Sequence, residues 1–220
     1  KKSSLKKMFN IKPIALVGGT VVCAVGFLLF IPLFTELIYQ TESWQSYAVP
    51  ILLYLIVGGS LVITNRNIEL KISIKEAFII TVLSWILLAI LCAIPFIYTQ
   101  LELSVVDALF ESMSGITTTG ATILNNLDDL PKGILIWRSL LQWLGGIGIV
   151  VIALVILPFL RIGGMQLFHL ECDYPYDKFL PKISSVVTKI IIVYSALTFL
   201  LIILYFTNGM SLFDSVAHGF

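Results

Sequence analysis

The chain contains five stretches, each more than twenty residues long, without any aspartate, glutamate, lysine or arginine. They cover residues 13–35, 43–65, 77–101, 139–160 and 190–213. At about 1.5 Å per residue, each is long enough as a helix to cross the roughly 30 Å hydrocarbon core of a bilayer. The composition agrees, since 58% of the residues are hydrophobic and only 12% are charged, which is unusual for a soluble domain. The sequence therefore predicts an all-α membrane protein with five transmembrane helices.

The basic residues are distributed unevenly between the two sides of these predicted spans. Twelve of the 14 lysines and arginines precede the first span, separate spans two and three, or fall within 161–189. The other two, Lys132 and Arg138, lie among acidic residues between or near spans three and four. The positive-inside rule then predicts a cytoplasmic amino terminus and an acidic outer face. An acidic face concentrates cations nearby, although ordinary solvated loops explain these carboxylates equally well.

The segment between spans three and four predicts a short helix that enters the membrane only halfway. Ser104 and Asp107 have the spacing of a capping box, in which each side chain bonds the other residue's backbone N–H. Apolar residues recur at helical spacing after it, but Gly115 follows about ten residues later, or about 15 Å of helix. We therefore expect a pore helix at 104–114 that ends near the middle of the bilayer.

The residues after this half-helix favour extended backbone. Thr117, Thr118, Thr119, Gly120 and Ala121 combine β-branched side chains with glycine, which suits a helix poorly. Non-helical backbone at membrane depth is tolerated where it is buried in protein or lines a water-filled path. Its carbonyl oxygens can then replace the hydration shell of a cation, and the negative end of the half-helix favours the same charge. A threonine-rich loop that merely packs is the simpler alternative.

A second copy of the pattern begins near the end of the chain. Ser211 and Asp214 repeat the capping-box spacing after the last apolar span. The repeating unit is then a span, a half-helix, an extended stretch and a span, and several such units must surround one axis to close a pore. Because the chain starts at Lys1 and stops at Phe220 within the second half-helix, we expect both ends to be the limits of a fragment.

These predictions divide the chain into five parts. The parts are a basic cytoplasmic amino terminus at 1–12, two accessory transmembrane helices at 13–65, a first pore repeat at 71–160 with its filter at 117–121, a cytoplasmic connection at 161–182, and the start of a second pore repeat at 183–220. The second repeat is expected to be cut before its own filter. Cofactors and bound metals other than the transported ion are not expected, since His169 and His218, the two histidines of the chain, lie far apart in the sequence.

The segment FESMSGITTTGATIL, followed by WRSLLQWLGGIGIVVIALVILP, closely resembles the first pore repeat of TrkH-type potassium transport proteins. The KtrB subunits and the plant high-affinity potassium transporters share the repeat more loosely. In that superfamily, four such repeats lie in one polypeptide. The two spans that precede the first repeat are present in TrkH and typically absent from KtrB, so the resemblance favours the amino-terminal part of a TrkH-type protein.

The resemblance implies roles for individual residues and a set of partners. Thr118 and Thr119 resemble the residues whose main-chain oxygens face the ion, and Gly120 resembles the filter glycine, with Thr117 and Ala121 flanking the site. A glycine rather than a serine at that position implies K⁺ as the carried ion. The resemblance further implies a multi-pass protein of the bacterial inner membrane, surrounded by lipid. It implies a homodimer that docks on a cytosolic, nucleotide-binding TrkA-like regulator and has no nucleic-acid partner.

Two other functional classes are alternatives to an ion pore. A secondary transporter with broken helices, carrying a different small cation or solute, also uses unwound backbone at mid-membrane depth, but usually places an ionisable group within its spans. An intramembrane enzyme needs a nucleophile with a base or paired aspartates, and the predicted spans lack both patterns. We therefore expect a non-enzymatic potassium pathway. Arg138 is expected either to snorkel or to pair with an outer carboxylate such as Asp128 or Asp129. Gly145, Gly146 and Gly148 are expected to allow close helix approach.

Overall fold

All regular structure in the described part of the chain is helical. The structure is a computed structural model that describes residues 11–67, 74–99, 101, 103–160 and 179–220. Its helices are α1 (Ile11–Leu28), α2 (Phe30–Ile38), α3 (Gln45–Asn65), α4 (Ile74–Tyr98), α5 (Val105–Ile116), α6 (Lys132–Leu160), α7 (Phe179–Thr207) and α8 (Leu212–Gly219), with short 3₁₀ turns at Glu42–Trp44 and Leu127–Asp129. The all-α class predicted from the sequence is confirmed.

Five helical segments within the described residues are long and apolar enough to cross a membrane. They are Ile11–Ile38, Gln45–Asn65, Glu76–Tyr98, Lys132–Ile152 and Ser185–Thr207. Large apolar side chains stay exposed along them, for example Leu52 at 62% and Phe199 at 64%, a degree of exposure that suits contact with lipid. The protein is a multi-pass membrane protein.

Several helix limits differ from those predicted. Helix α6 begins at Lys132 rather than 139, because the charge of Arg138 is paired inside the fold and does not interrupt the helix. Helix α5 continues to Ile116 instead of ending at 114, since Gly115 and Ile116 are buried by packing. The predicted cytoplasmic segments at 1–12 and 161–182 lie mostly outside the described residues, and the last four residues of the second one begin α7.

Two compact units make up the chain. The first comprises residues up to Gly115 together with Thr119–Arg138. Within it, α1 packs on α3 where small residues face each other: a Cβ on Gly58 would lie 2.7 Å from Cys23 Sγ and 2.8 Å from the Gly19 oxygen. In lipid, such contacts replace hydrophobic burial as the source of helix association, because apolar tails solvate leucine as well as protein does. The two accessory helices thus form one closely packed pair.

Side-chain hydrogen bonds join α3 and α6 to α4. Pro95 has no N–H, so the carbonyl of Leu91 one turn earlier lacks its usual helical donor. The Tyr54 hydroxyl, on α3, donates to that oxygen at 2.7 Å. The Trp137 indole, on α6, donates to the next carbonyl, that of Cys92, at 3.1 Å. The first bond supplies the donor that Pro95 cannot, and the second joins α6 to the same turn of α4.

The first unit also contains a buried carboxylate at the amino terminus of α6. Glu36 is fully buried, and its Oε1 accepts the backbone N–H of Gly133 at 2.6 Å. Its Oε2 accepts the Thr41 hydroxyl. An anion at this end of a helix satisfies a free N–H and interacts favourably with the helix dipole. A residue of the second helix thereby holds the start of α6, a contact that the sequence analysis missed.

The second unit comprises Ile116–Thr118 and Ser139–Phe220. Within it, the Trp143 indole of α6 donates to the Thr198 hydroxyl of α7 at 2.9 Å. Its ring lies 5.5 Å from those of Tyr194 and Phe220. At Ser211, half of the predicted capping box is seen: the Ser211 hydroxyl accepts the Asp214 N–H at 3.1 Å and donates to the Asp214 carboxylate at 2.6 Å. Aromatic packing and this cap fix α8 beside α7.

Candidate functional site

The predicted pore helix, α5, begins at the capping box expected from the sequence. The Ser104 hydroxyl accepts the backbone N–H of Asp107 at 3.2 Å, and the Asp107 carboxylate accepts the N–H of Ser104 at the same distance. The reciprocal bonds satisfy two donors that a helix start leaves free. Ser112 fixes the other face of the helix, donating to the Ala89 carbonyl of α4 at 2.8 Å. Both the start of α5 and its rotation are therefore set by specific bonds.

The filter segment, defined as Thr117–Ala121, leaves the end of α5 as exposed, non-helical backbone. Two of its residues have left-handed backbone angles, Thr118 with φ 57° and Gly120 with φ 73°. Glycine adopts such angles freely, whereas a β-branched residue does so only at a cost in free energy. Strained backbone of this kind persists where the surroundings over-determine it, and it is common at functional sites.

The left-handed angles at Thr118 and Gly120 affect the directions in which the carbonyl groups of the filter segment point. In a regular extended strand, successive residues face opposite sides. A left-handed residue at every second position breaks that alternation, so neighbouring peptide planes are no longer constrained to opposite directions. The threonine and glycine residues predict extended backbone here, whereas the left-handed angle at Thr118 is not expected for a β-branched residue.

Hydrogen bonds tie the filter segment back to the last turns of α5. The Thr119 N–H donates to the Ser114 carbonyl at 3.0 Å. The Ser114 hydroxyl donates to the Ala121 carbonyl at 2.6 Å. The carbonyl of Ala121 is thus engaged with α5, while the Thr118 hydroxyl donates to the neighbouring Thr117 carbonyl at 2.7 Å. One serine therefore positions both the middle and the far end of the filter segment.

A buried glutamate continues this attachment along the return segment, defined as Thr122–Leu124. Glu111 Oε1 accepts both the Thr122 hydroxyl and the Ile123 N–H, each at 2.7 Å. Its other oxygen, Oε2, accepts Arg138 Nε at 2.9 Å. Arg138 pairs with a carboxylate, as one of the two expectations had it, but the partner is Glu111 on α5 rather than Asp128 or Asp129, the examples named from the sequence. The available signal was an acidic residue, Glu111, in the middle of the apolar half-helix.

The glycines of α6 have separate roles. A Cβ on Gly145 would overlap the Ile116 carbonyl oxygen and lie 2.7 Å from its carbon, so Gly145 makes room for the backbone that enters the filter segment. A Cβ on Gly146 would lie 2.9 Å from the Tyr194 hydroxyl oxygen, whereas one on Gly148 would meet open space. The predicted close helix approach thus applies to Gly146, and Gly145 seats a helix terminus instead.

Comparison with known proteins places the chain in a family. The TrkH family model, described as a cation transport protein, matches residues 43–220. The chain is 36% identical over 214 residues to the Trk system potassium uptake protein TrkH of Escherichia coli K12, covering 96% of this chain and 44% of the relative. It is 34% identical over 207 residues to the Trk system potassium uptake protein TrkI of Halomonas elongata, covering 94% of this chain and 42% of the relative.

A solved structure shares the fold. The crystal structure of the potassium transporter TrkH from Vibrio parahaemolyticus superposes with a TM-score of 0.82 at 31% identity, over 96% of this chain and 42% of that one. The chain therefore spans less than half the length of these relatives. Because the family model covers most of the chain and the pore-helix geometry accompanies it, the chain belongs to the TrkH family of cation transport proteins.

Proposed function

We propose that this chain forms part of a potassium pathway, in the membrane subunit of a Trk-type uptake system. In this proposal, the main-chain oxygens of Thr118, Thr119 and Gly120 bind K⁺ as it passes, and Thr117 and Ala121 flank the site. The observation that carries it is the exposed filter segment with its left-handed residues at 118 and 120, directly after a half-length helix. Relatives named as potassium uptake proteins support K⁺ as the ion.

The electrostatics of the half-helix favour a cation at this position. A helix carries about half a negative charge at its carboxyl end, where its last carbonyls lack intrahelical donors. The end of α5 at Ile116 directly precedes the filter segment. The engagement of the Ala121 carbonyl with Ser114 supports a flanking role for that residue. Exposed carbonyl dipoles can replace the water around a large monovalent ion without a formal charge at the site.

The proposal extends to the setting of the protein. The basic-residue count supports a cytoplasmic amino terminus in a bacterial inner membrane. Homodimerisation and docking on a TrkA-like cytosolic regulator follow from the family resemblance, and the relatives' description as Trk system proteins agrees with a multi-component assembly. The chain is assigned no cofactor and no chemical step of its own, so control by bound nucleotide would come from the regulator.

Substituting Gly120 tests the proposal. A Gly120→Ser side chain restricts a backbone with φ 73° and reshapes the carbonyl surroundings, so discrimination between K⁺ and Na⁺ should weaken. Thr119→Val is the comparison, because it keeps the β-branched shape and the main-chain oxygen and removes only a hydroxyl. Its effect should be smaller.

The measurement is growth and ion uptake at low potassium, with and without excess sodium, in cells that lack their own potassium importers and express the whole gene. Membrane levels of each variant are quantified in parallel. A Gly120→Ser protein that reaches the membrane normally and keeps its K⁺ preference would show that 117–121 is not the filter. Uptake of another solute in place of K⁺ would favour the secondary-transporter alternative.

A further inference from the structure

The carboxylate of Glu111 joins three parts of the first unit. It projects from α5, accepts two hydrogen bonds from the return segment at 2.7 Å each, and accepts Arg138 of α6 at 2.9 Å. The two oxygens have different partners: Oε1 accepts the bonds from Thr122 and Ile123, and Oε2 accepts the bond from Arg138. The residues that follow the filter segment are thus attached to the pore helix and the next span through a single side chain.

The Glu111–Arg138 ion pair is largely buried, so its two side chains can be stable only in a narrow range of positions. The Glu111 side chain is 0% exposed and that of Arg138 is 12% exposed. Removing two charges from water has a large cost, which attraction between them offsets only when the remaining hydrogen-bond sites are also satisfied. A well-packed apolar pair is often no less stable than a buried ion pair. What the ion pair adds is a fixed position for the groups bonded to it.

The position that Glu111 fixes matters because the filter segment continues directly into the residues that Glu111 holds. Ser114 bonds Thr119 and Ala121, and Glu111 bonds the next two residues. The left-handed angle at Thr118 is unfavourable for threonine and must be held in place by its surroundings. If the return segment were not held in place, the backbone at Thr118 could move to a more favourable angle. The carbonyl groups of the filter segment would then change direction. Arg138 also neutralises the carboxylate, which would otherwise be a strong competing cation ligand near the filter segment.

We propose that the Glu111–Arg138 ion pair is a specificity-determining brace of the filter, which acts by positioning the return segment rather than by touching the ion. The inference rests on the proposed function, because it assumes that 117–121 binds the transported cation. It predicts that changes to the brace alter the preference for K⁺ over Na⁺ in protein that is folded and in the membrane. A purely structural ion pair would alter only the amount of folded protein.

The mildest test is Thr122→Val in the whole protein. It removes one hydrogen bond to a charged group and leaves both charges in place, which predicts about a tenfold loss in the ratio of K⁺ to Na⁺ uptake. Thr64→Val is the matched control, since the Thr64 hydroxyl donates only to the Ser60 carbonyl of its own helix at 2.7 Å. That control should keep the wild-type ratio.

The stronger test is Glu111→Gln, alone and combined with Arg138→Gln. The single variant leaves a buried arginine unpaired and should lower membrane levels, whereas the double variant removes both charges and should recover them. In both, the K⁺ to Na⁺ ratio should fall by more than in Thr122→Val. Glu76→Gln, in the first turn of α4, is the matched control and should leave the ratio unchanged.

The outcomes separate this inference from the proposed function. A fall in the ratio for Thr122→Val and for the double variant, with unchanged controls, supports the brace. An unchanged ratio in Thr122→Val protein at normal membrane levels overturns it, even if the Glu111 variants fail to fold. If Gly120→Ser shifts the ratio and these variants do not, only the brace is wrong. If Gly120→Ser has no effect either, the filter assignment itself fails.

Discussion

Gly145 leaves room for the end of the pore helix, whereas Gly148 faces open space. Replacing each with alanine should therefore affect stability and transport very differently. In Gly145→Ala, the new Cβ would overlap the Ile116 carbonyl oxygen and lie 2.7 Å from its carbon, whereas in Gly148→Ala it would meet nothing within 4 Å. Ordinary contacts between carbon atoms are about 3.5–4.0 Å. The backbone at Ile116 would therefore have to move by about 1 Å, and Thr117 is the next residue.

The energetic difference follows from comparing the two variants with each other. Replacing glycine by alanine inside a helix stabilises it by roughly 0.8–1.0 kcal/mol, and both variants share this gain. Overpacking costs roughly 1–3 kcal/mol and applies to Gly145 alone. Gly148→Ala should therefore be about 1–3 kcal/mol more stable than Gly145→Ala, or several degrees in the midpoint of thermal unfolding at about 2–4 °C per kcal/mol.

Both stability and transport should be measured. Thermal unfolding of the purified proteins in detergent reports the first, and K⁺ uptake by cells lacking other importers reports the second. A displacement of about 1 Å at the entrance to the filter segment should lower uptake by Gly145→Ala roughly tenfold to a hundredfold, by analogy with misplaced catalytic groups. Gly148→Ala should transport normally. Equal unfolding midpoints and equal uptake in the two variants would refute the assignment of Gly145 as a seat.

Two further predictions concern the accessory helices and the orientation of the chain. Gly58→Ala should unfold at a lower temperature than Gly59→Ala, because its Cβ would lie 2.7 Å from Cys23 Sγ whereas one on Gly59 meets nothing within 4 Å; indistinguishable midpoints would contradict the close α1–α3 contact. A reporter fused after Asn126 should lie outside the cytoplasm and one fused after Asp173 inside it, and the reverse pattern would overturn the orientation drawn from the basic residues.

Features set by local sequence were predictable. The helix caps at Ser104 and Ser211 depend on residues three positions apart; the reciprocal capping box formed at Ser104, and at Ser211 the serine caps Asp214 as expected. The apolar spans follow from length and composition alone, which is why all five reappear as candidate membrane helices. The half-length of α5 was predicted from Gly115, although packing carried the helix one residue further, to Ile116.

Features set by tertiary contact were not predictable from one sequence. Glu111 and Arg138 are 27 residues apart, and Glu36 and Gly133 are 97 apart, so no periodicity links either pair. The left-handed angle at Thr118 runs against the intrinsic preference of a β-branched residue, and it depends on the bonds that hold the segment. Likewise, Gly145 and Gly148 look alike in the sequence and differ only in what approaches them.

Locating a bound ion would test most directly whether the filter segment binds the transported cation. Crystals of the whole protein grown with rubidium, a K⁺ substitute with a usable anomalous signal, would reveal the ion without relying on transport. We expect an anomalous peak coordinated by the main-chain oxygens of Thr118, Thr119 and Gly120. Rubidium bound by side-chain carboxylates elsewhere, with no peak at these three oxygens, would contradict it.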